Sequence, residues 1–527
     1  GELTAYLEAL ERIAPGDLTA LSHHFAEAAP AGEHERAVRY TVAAAELAGV
    51  QLALAEAVEL HRRALDLHDD AGSDDPLARC DLLLGLASAE RLGGGDQYEV
   101  TVALAAALAR SLGDGHRLAA CTLVRNKGWI SSVFTVNEPF IDLLEEALAL
   151  LPIDDDPVRA QVLVTLAIEL GYAGDLDRVR RAADDAVAMA KRLDDPALCV
   201  EVAALSLSAT QGWPDPEVMR SRAELLEEQH ALLGGVADPV RREMLQMGYV
   251  TGLAYNGSYR DREDLVPREG PPAGPLVEWT RRFTHAGLAL LRGDLLEVER
   301  LADEGLALGM EAAEGDALAM WGNQMLYLRR QQGRYDEALP LVQQMVDSDA
   351  PGAWAWNAAL ALLFTEADRL DQALPAFRQA EALYRSLPLL PTELPVGAML
   401  AAATADLDDQ VVAAWLLDRM SPYAELVAGW GSISCLGPVT LSLGRLASCL
   451  GRVDEADAHL AAAVDRSRYE RLPYHLAEAS LYRATNLLGR NGPGDREAAE
   501  PLLDECRLIV EAHGFGTLER RLTRVHR

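Results

Sequence analysis

The chain has 527 residues, half of them apolar but only 6% aromatic, and a formal net charge of −34. Such a field repels phosphate backbones, whose affinity for proteins comes largely from Lys and Arg displacing counterions, so direct binding of DNA or RNA by these residues is not expected. Ala, Leu, Glu and Arg dominate while alternating runs of Val, Ile and Thr are scarce, which points to an all-α protein with ample core material.

No segment reaches the ~18 consecutive apolar residues that span a bilayer. The opening GELTAYLEALERIAPGDLTA also lacks the charged, apolar and cleavage regions of a signal peptide. A cytoplasmic location is therefore expected, with no membrane partner. The first residue is Gly and a helix is expected over Glu2 to Ala14, so residues 1–21 read as the end of a preceding domain or a linker helix. Cys80, Cys121, Cys199, Cys435, Cys449 and Cys506 lie in apolar helical contexts without a C-x-x-C pair, and are expected as small buried hydrophobes.

From Ser22 onward, helix-length amphipathic stretches alternate with turn signals such as LGGGD, YAGDLD, RGDLLE, GRYDEA and GRVDEA, roughly 35 to 45 residues apart. Asp-Pro at Asp75, Asp156, Asp195 and Asp238 precedes new apolar periods; Asp caps free N–H groups there, and Pro suits the first helical position. Taken in order, the predicted hairpins are Ser22–Leu67, Pro76–Ala109, Asp114–Leu151, Pro157–Leu193, Pro196–Leu233 and Pro239–Leu265. The series continues with Leu276–Gly309, Glu314–Asp347, Trp354–Leu387, Leu394–Met420, Pro438–Arg471 and Tyr474–His513. About twelve such units, each unable to bury its apolar face alone, predict a right-handed superhelical α-solenoid with a concave inner surface. PREGPPAGP, residues 267–275, divides the array at 22–266 and 276–513, as either a mobile surface loop or a hinge, and residues 514–527 read as a tail.

GRYDEALPLVQQMV and GRVDEADAHLAAAV resemble the turn and second helix of tetratricopeptide repeats. In that repeat a Gly relieves the turn, a large side chain wedges between helices, and a small residue lets them approach. Gly333, Tyr335 and Ala338 occupy these places, as do Gly451, Val453 and Ala456. At the N-terminal end, LSHHFAEAAPAGEHERAVRYTVAAAELA and LALAEAVELHRRALDLH resemble the junction between the nucleotide-binding half and the helical repeats of STAND-type bacterial regulators, including the large ATP-binding LuxR-family proteins. Ser22, His23, His24 and Phe25 match their A-x-H-F stretch, with Ser replacing the small residue. The chain has no G-x-x-x-x-G-K-[ST] loop, no acidic strand for magnesium and no basic recognition helix. The resemblance therefore implies that ATP hydrolysis and DNA binding belong to an attached upstream ATPase and an output domain outside this chain.

Candidates for chemistry are few, and no catalytic, cofactor or metal residue is expected. His23 and His24 are adjacent and point about 100° apart on a helix, so they cannot share one metal as an i, i+4 pair would. Glu227 and His230 form a single E-x-x-H pair where a di-iron bundle needs two. The acidic runs at Asp154 to Asp156 and at Asp194 with Asp195 sit at helix starts and complement the helix dipole. An enzyme of helical-toroid fold would instead need a deep pocket with converging ionisable side chains.

Polar and aromatic side chains concentrate on three consecutive first helices, which line the concave face in such arrays. They are Trp279, Arg282 and His285, then Trp321, Asn323, Gln324 and Tyr327, then Trp354, Trp356 and Asn357. Asn and Gln offer both donor and acceptor to an extended ligand, and Trp and Tyr supply contact area at low entropy cost. These Trp residues are either groove or inter-helix core. The ligand-groove candidates are Arg282, His285, Asn323, Gln324, Tyr327, Trp354 and Asn357. RNKGWISSVF, Arg125 to Phe134, breaks the helical pattern as either a widened loop facing the groove or an ordinary inter-helix loop. The expectation is a binding module, accepting a peptide, protein or small effector in its groove, as the sensor region of a signalling ATPase; the alternative is a freestanding scaffold that assembles partners.

Overall fold

Aspartate sets the helix starts. Asp75 Oδ1 accepts from Leu77 N and Ala78 N at 3.1 Å, and Asp156 and Asp195 cap the following turns in the same way, each ahead of a proline. A cap of this kind contributes about 1 kcal/mol. The computed structural model describes the chain apart from residues 1, 14–15, 127–135, 210–215, 237–238, 256–258, 261–264, 267, 271–272, 313, 349–352, 387–392, 432 and 526–527. Asp238 and most of RNKGWISSVF lie outside the described residues.

The chain opens with α1 (Glu2–Ile13), α2 (Leu18–Ala28), α3 (His34–Val50) and α4 (Leu54–Asp70). Hairpins follow: α5 (Pro76–Leu92) with α6 (Tyr98–Leu112), α7 (Gly115–Arg125) with α8 (Glu138–Leu150), α9 (Pro157–Glu169) with α10 (Leu176–Leu193), and α11 (Pro196–Ala209) with α12 (Pro216–His230). Next stands α13 (Pro239–Tyr255), the first half of the expected hairpin Pro239–Leu265; most of the second half, residues 256–258 and 261–264, lies outside the described residues. The second array comprises α14 (Pro275–Arg292) with α15 (Leu295–Glu311), α16 (Ala317–Gln332) with α17 (Tyr335–Val346), and α18 (Ala353–Glu366) with α19 (Leu370–Ser386). It continues with α20 (Glu393–Asp406) and α21 (Gln410–Met420), the strands β1 (Val427–Gly429) and β2 (Cys435–Pro438), α22 (Val439–Cys449) with α23 (Val453–Tyr469), α24 (Pro473–Arg490) with α25 (Asp495–His513), and α26 (Gly516–Val525). Among the described residues no helix is long and apolar enough to cross a membrane.

The stacking is that of a tetratricopeptide-like solenoid: each first helix packs on its own second helix and, along the N-terminal array, on the next first helix. The repeated turn behaves as the resemblance implies. Gly333 ends α16 at φ +71, a left-handed conformation that costs Gly nothing, while Tyr335 and Ala338 are buried behind it. Asp336 and Glu337 open α17, where acids suit the helix dipole, and pair with Arg369 and Arg329.

The second array departs from an open superhelix. Helix α24 returns to α14, so the first helices close into a ring. Helix α26, in the segment expected as a tail, packs on α16, α24 and α25. Thr517 Oγ1 donates to the Arg330 carbonyl and shares a hydrogen bond with Tyr335 Oη, Arg520 donates to the Gly333 carbonyl, and Arg524 pairs with Asp368. One short helix thus straps the ends of α16 and α18.

Helix α14 joins the two arrays. Val277, Leu288 and Leu291 belong to the core of the first, whereas Ala286, Ala289 and Leu290 belong to the core of the second. The neighbouring Gly/Pro-rich loop packs inward at Gly270, against the buried pair of Arg281 Nη2 and Glu243 Oε2 at 2.8 Å. Farther round, Arg91 at the end of α5 is ion-paired with Glu314 ahead of α16, so the first array curls back onto the second.

Contact between α26 and the α16 turn makes Gly516 a sensitive position. A Cβ there would overlap the Gln332 carbonyl oxygen, which is backbone and cannot swing away. Gly516→Ala is expected to lower the urea midpoint by the equivalent of about 2 kcal/mol or more, as overpacking does. Gly489→Ala, in α24 with open space around its Cβ, is expected to be neutral or stabilising by up to about 1 kcal/mol. Equal midpoints for the two variants would show that α26 does not sit on that turn.

Candidate functional site

The concave face was expected to be an open groove across α14, α16 and α18. The structure fills it. His285, Gln324, Tyr327 and Asn357 are buried, Tyr327 to 1% exposure. Gln324 Nε2 donates to the Phe283 carbonyl at 2.7 Å, and Tyr327 Oη points at Met399 Sδ, 3.7 Å away, with burial pushing its hydroxyl pKa up. Arg282 faces outward to Glu304 at 3.1 Å. The Trp354 side chain lies outside the described residues. Of the other aromatic candidates, Trp279 is core, Trp356 packs partly buried against the ring core, and Trp321 donates its indole N–H to Asp303 at 2.8 Å.

What covers the inner face is the chain's own β hairpin. Asn323, half-buried, accepts a hydrogen bond from Ser434 Oγ at 2.6 Å. The strands pair antiparallel, Val427 opposite Pro438 and Ala428 opposite Gly437, with a bulge between Ala428 and Gly429. Period-two alternation then sends neighbouring side chains to opposite sides. Val427 and Cys435 enter the core of the first array, and Ala428 and Leu436 enter that of the second. The hairpin is a two-sided wedge. It also anchors the far wall, where the Cys435 carbonyl meets His475 Nε2 at 3.2 Å. The sequence signal was present in LVAGWGSISCLGP, a short β-prone, glycine-containing run falling between two predicted hairpins.

Beneath the wedge lies a buried cluster of charges. Arg330 of α16 forks onto Glu366 of α18 at 2.8 to 3.1 Å and reaches Glu478 of α24 at 3.0 Å. Arg445 of α22 meets Asp406 of α20 at 2.9 Å, and Arg521 of α26 takes the other oxygen of Asp406 at 2.7 Å. Tyr474 and Tyr482 present their ring faces to Arg330 and Arg445, at 5.2 and 4.3 Å. Burial alone would push the Glu478 carboxyl up, but Arg330, His475 and Arg445 outweigh it and hold it at about 2. His475 is pushed down by burial and more strongly up by Cys435 and Glu478, to about 9.

None of these residues was singled out from sequence, although two carried a signal. Glu366 and Asp406 are the last residues of their helices. An acid at that end opposes the helix dipole, so it needs a compensating cation. The converging ionisable groups that a toroidal enzyme would require are therefore present, but the three carboxylates are each engaged by guanidinium groups. Among the described residues no group of three or more His, Cys, Asp or Glu is placed to hold a metal ion.

No protein-family model and no curated protein matches the chain. Among solved structures, the chain is similar to the APC/C hetero-tetramer Cut9-Hcn1 at 13% identity and TM-score 0.28, covering 92% of this chain and 96% of that one. It is also similar to Naa15/Naa10 bound to HypK-THB at 14% identity and TM-score 0.24, covering 96% and 84%. A circular tandem repeat protein follows at 15% identity and TM-score 0.12, covering 97% and 98%. At such scores the fold assignment rests on the helix packing described above.

The charge cluster makes a signed prediction. Glu478 has a folded pKa of about 2 against an ordinary 4.5, so its contribution is complete above pH 4.5 and is lost as pH falls through 2. His475 is the reverse, contributing fully below 6.5 and losing that contribution as pH rises through 9. Glu478→Gln is expected to cost about 3 to 5 kcal/mol near neutrality, because it strands buried guanidinium charge. In urea titrations its deficit relative to wild type should shrink between pH 4.5 and 2. A deficit independent of pH in that range would remove the ion-pair account.

Proposed function

We propose that the chain is the partner-binding, sensory arm of a STAND-type, LuxR-related bacterial regulator acting in the cytoplasm, and that it is a binding module and not a catalyst. The observation that carries this reading is the occupied inner face, where Asn323 and the surrounding apolar walls grip an extended segment of the same chain. A face that holds one extended segment can exchange it for another, a peptide or protein partner, or have it released by a small effector. Because the hairpin enters both cores, its displacement alters how the two arrays pack. Occupancy is thereby coupled to shape, provided that the ligand binds the displaced state better than the closed one. The regulator context rests on the resemblance over residues 20–67.

The coding sequence upstream of Gly1 tests that context. An in-frame G-x-x-x-x-G-K-[ST] loop is expected, and an initiation codon directly before Gly1 would leave a freestanding scaffold instead. In the full-length protein, Asn323→Ala removes the Ser434 hydrogen bond and loosens the hairpin by about 1 kcal/mol. Ligand-independent ATP hydrolysis is then expected to change several-fold; unchanged hydrolysis would show that the hairpin does not report to the ATPase.

A further inference from the structure

Outside the ring, a cleft of about 550 Å³ opens between α19 and the turn leading into α21, lined by Leu370, Leu374, Val411, Asp371, Asp408 and Arg378 among others. Its apolar side chains are bare, with Leu370 46%, Leu374 45% and Val411 79% exposed. Leu370 and Leu374 are one helical turn apart and form a ridge, with Val411 facing them across the cleft.

The charges around this floor are unbalanced. Arg378 is already taken by Glu381 and Asp409, at 2.9 Å for the former. Asp409 also caps α21 through Val412 N. By contrast, among the described residues Asp371 has no ion-pair partner and Asp408 meets only the Cys449 thiol, at 3.6 Å. An apolar floor with uncompensated carboxylates on its rim, on a chain of net charge −34, complements a cationic amphipathic helix. Such a helix would lay apolar anchors three or four residues apart over the Leu370–Leu374 ridge and aim Lys or Arg at the rim.

We infer that the α19–α21 cleft is a docking site for a basic amphipathic helix of a partner protein. The site lies apart from the inner face and does not depend on the regulator context. A suitable probe is a fluorescein-labelled helical peptide of Leu and Lys, with Leu at i, i+3, i+4 and i+7, titrated with the whole chain by fluorescence anisotropy. Val411→Asp is expected to weaken binding at least tenfold, and Asp371→Lys with Asp408→Lys to weaken it and flatten its salt dependence. Both changes are at exposed positions, and an unchanged thermal midpoint would verify folding. Ile153→Asp, equally exposed at 89% on the first array, should bind as wild type does. Absence of binding to the wild-type chain, equal binding by Val411→Asp, or an equal loss in Ile153→Asp, which would signify diffuse attraction to an acidic surface, overturns the proposal.

Discussion

Closure of the second array depends on Arg330. This guanidinium is buried inside the ring and bridges a neighbouring helix to one on the opposite wall, through Glu366 and Glu478. Taking ions out of water costs several kcal/mol each, and mutual attraction offsets that cost only when the hydrogen bonding is nearly complete. Here the fork of Arg330 on Glu366, the third contact to Glu478 and the Tyr474 ring face meet that condition. An unclosed array would leave Arg330 with Glu366 alone, and would leave Asp406 at a helix C-terminus without Arg521. The ring and its strap therefore form together, because each half of the charge cluster is expensive without the other.

The same reasoning explains why two elements are apolar on opposite sides. Helix α14 and the β hairpin each sit between cores, so each contributes buried side chains to both arrays. In α14 the apolar residues run through Phe283 to Leu291 with little interruption. In the hairpin, consecutive residues feed different arrays. The helix was legible from the sequence and its place between two cores was not, yet both elements are what make the two arrays one body.

The helix hairpins were legible because their signals are local. Asp75, Asp156 and Asp195 cap the turns they precede, and Gly333 ends α16 where its turn requires a left-handed residue. The interior was not legible because its determinants are distant in sequence. Nothing near Arg330 announces Glu478, 148 residues away. Tyr327 and Asn357 carried the correct face but the wrong surroundings: amphipathic periodicity places a side chain inward, and whether inward means groove or core depends on closure. Closure in turn depended on Glu366 and Asp406, whose position at helix ends was the anomaly to follow.

On the proposed binding role, closure also changes what an inner-face ligand would have to overcome. In an open solenoid a peptide displaces water. Here it competes with a tethered segment whose effective concentration is on the order of mM, the usual range for short intramolecular connections. Displacing the hairpin also uncovers Val427 and Cys435 on one side and Ala428 and Leu436 on the other, and breaks the Ser434 to Asn323 bond. A competitor must replace both apolar faces, so weak or one-sided ligands leave the closed state dominant. On the proposed binding role, the hairpin's own fit would set the threshold that a competitor has to exceed.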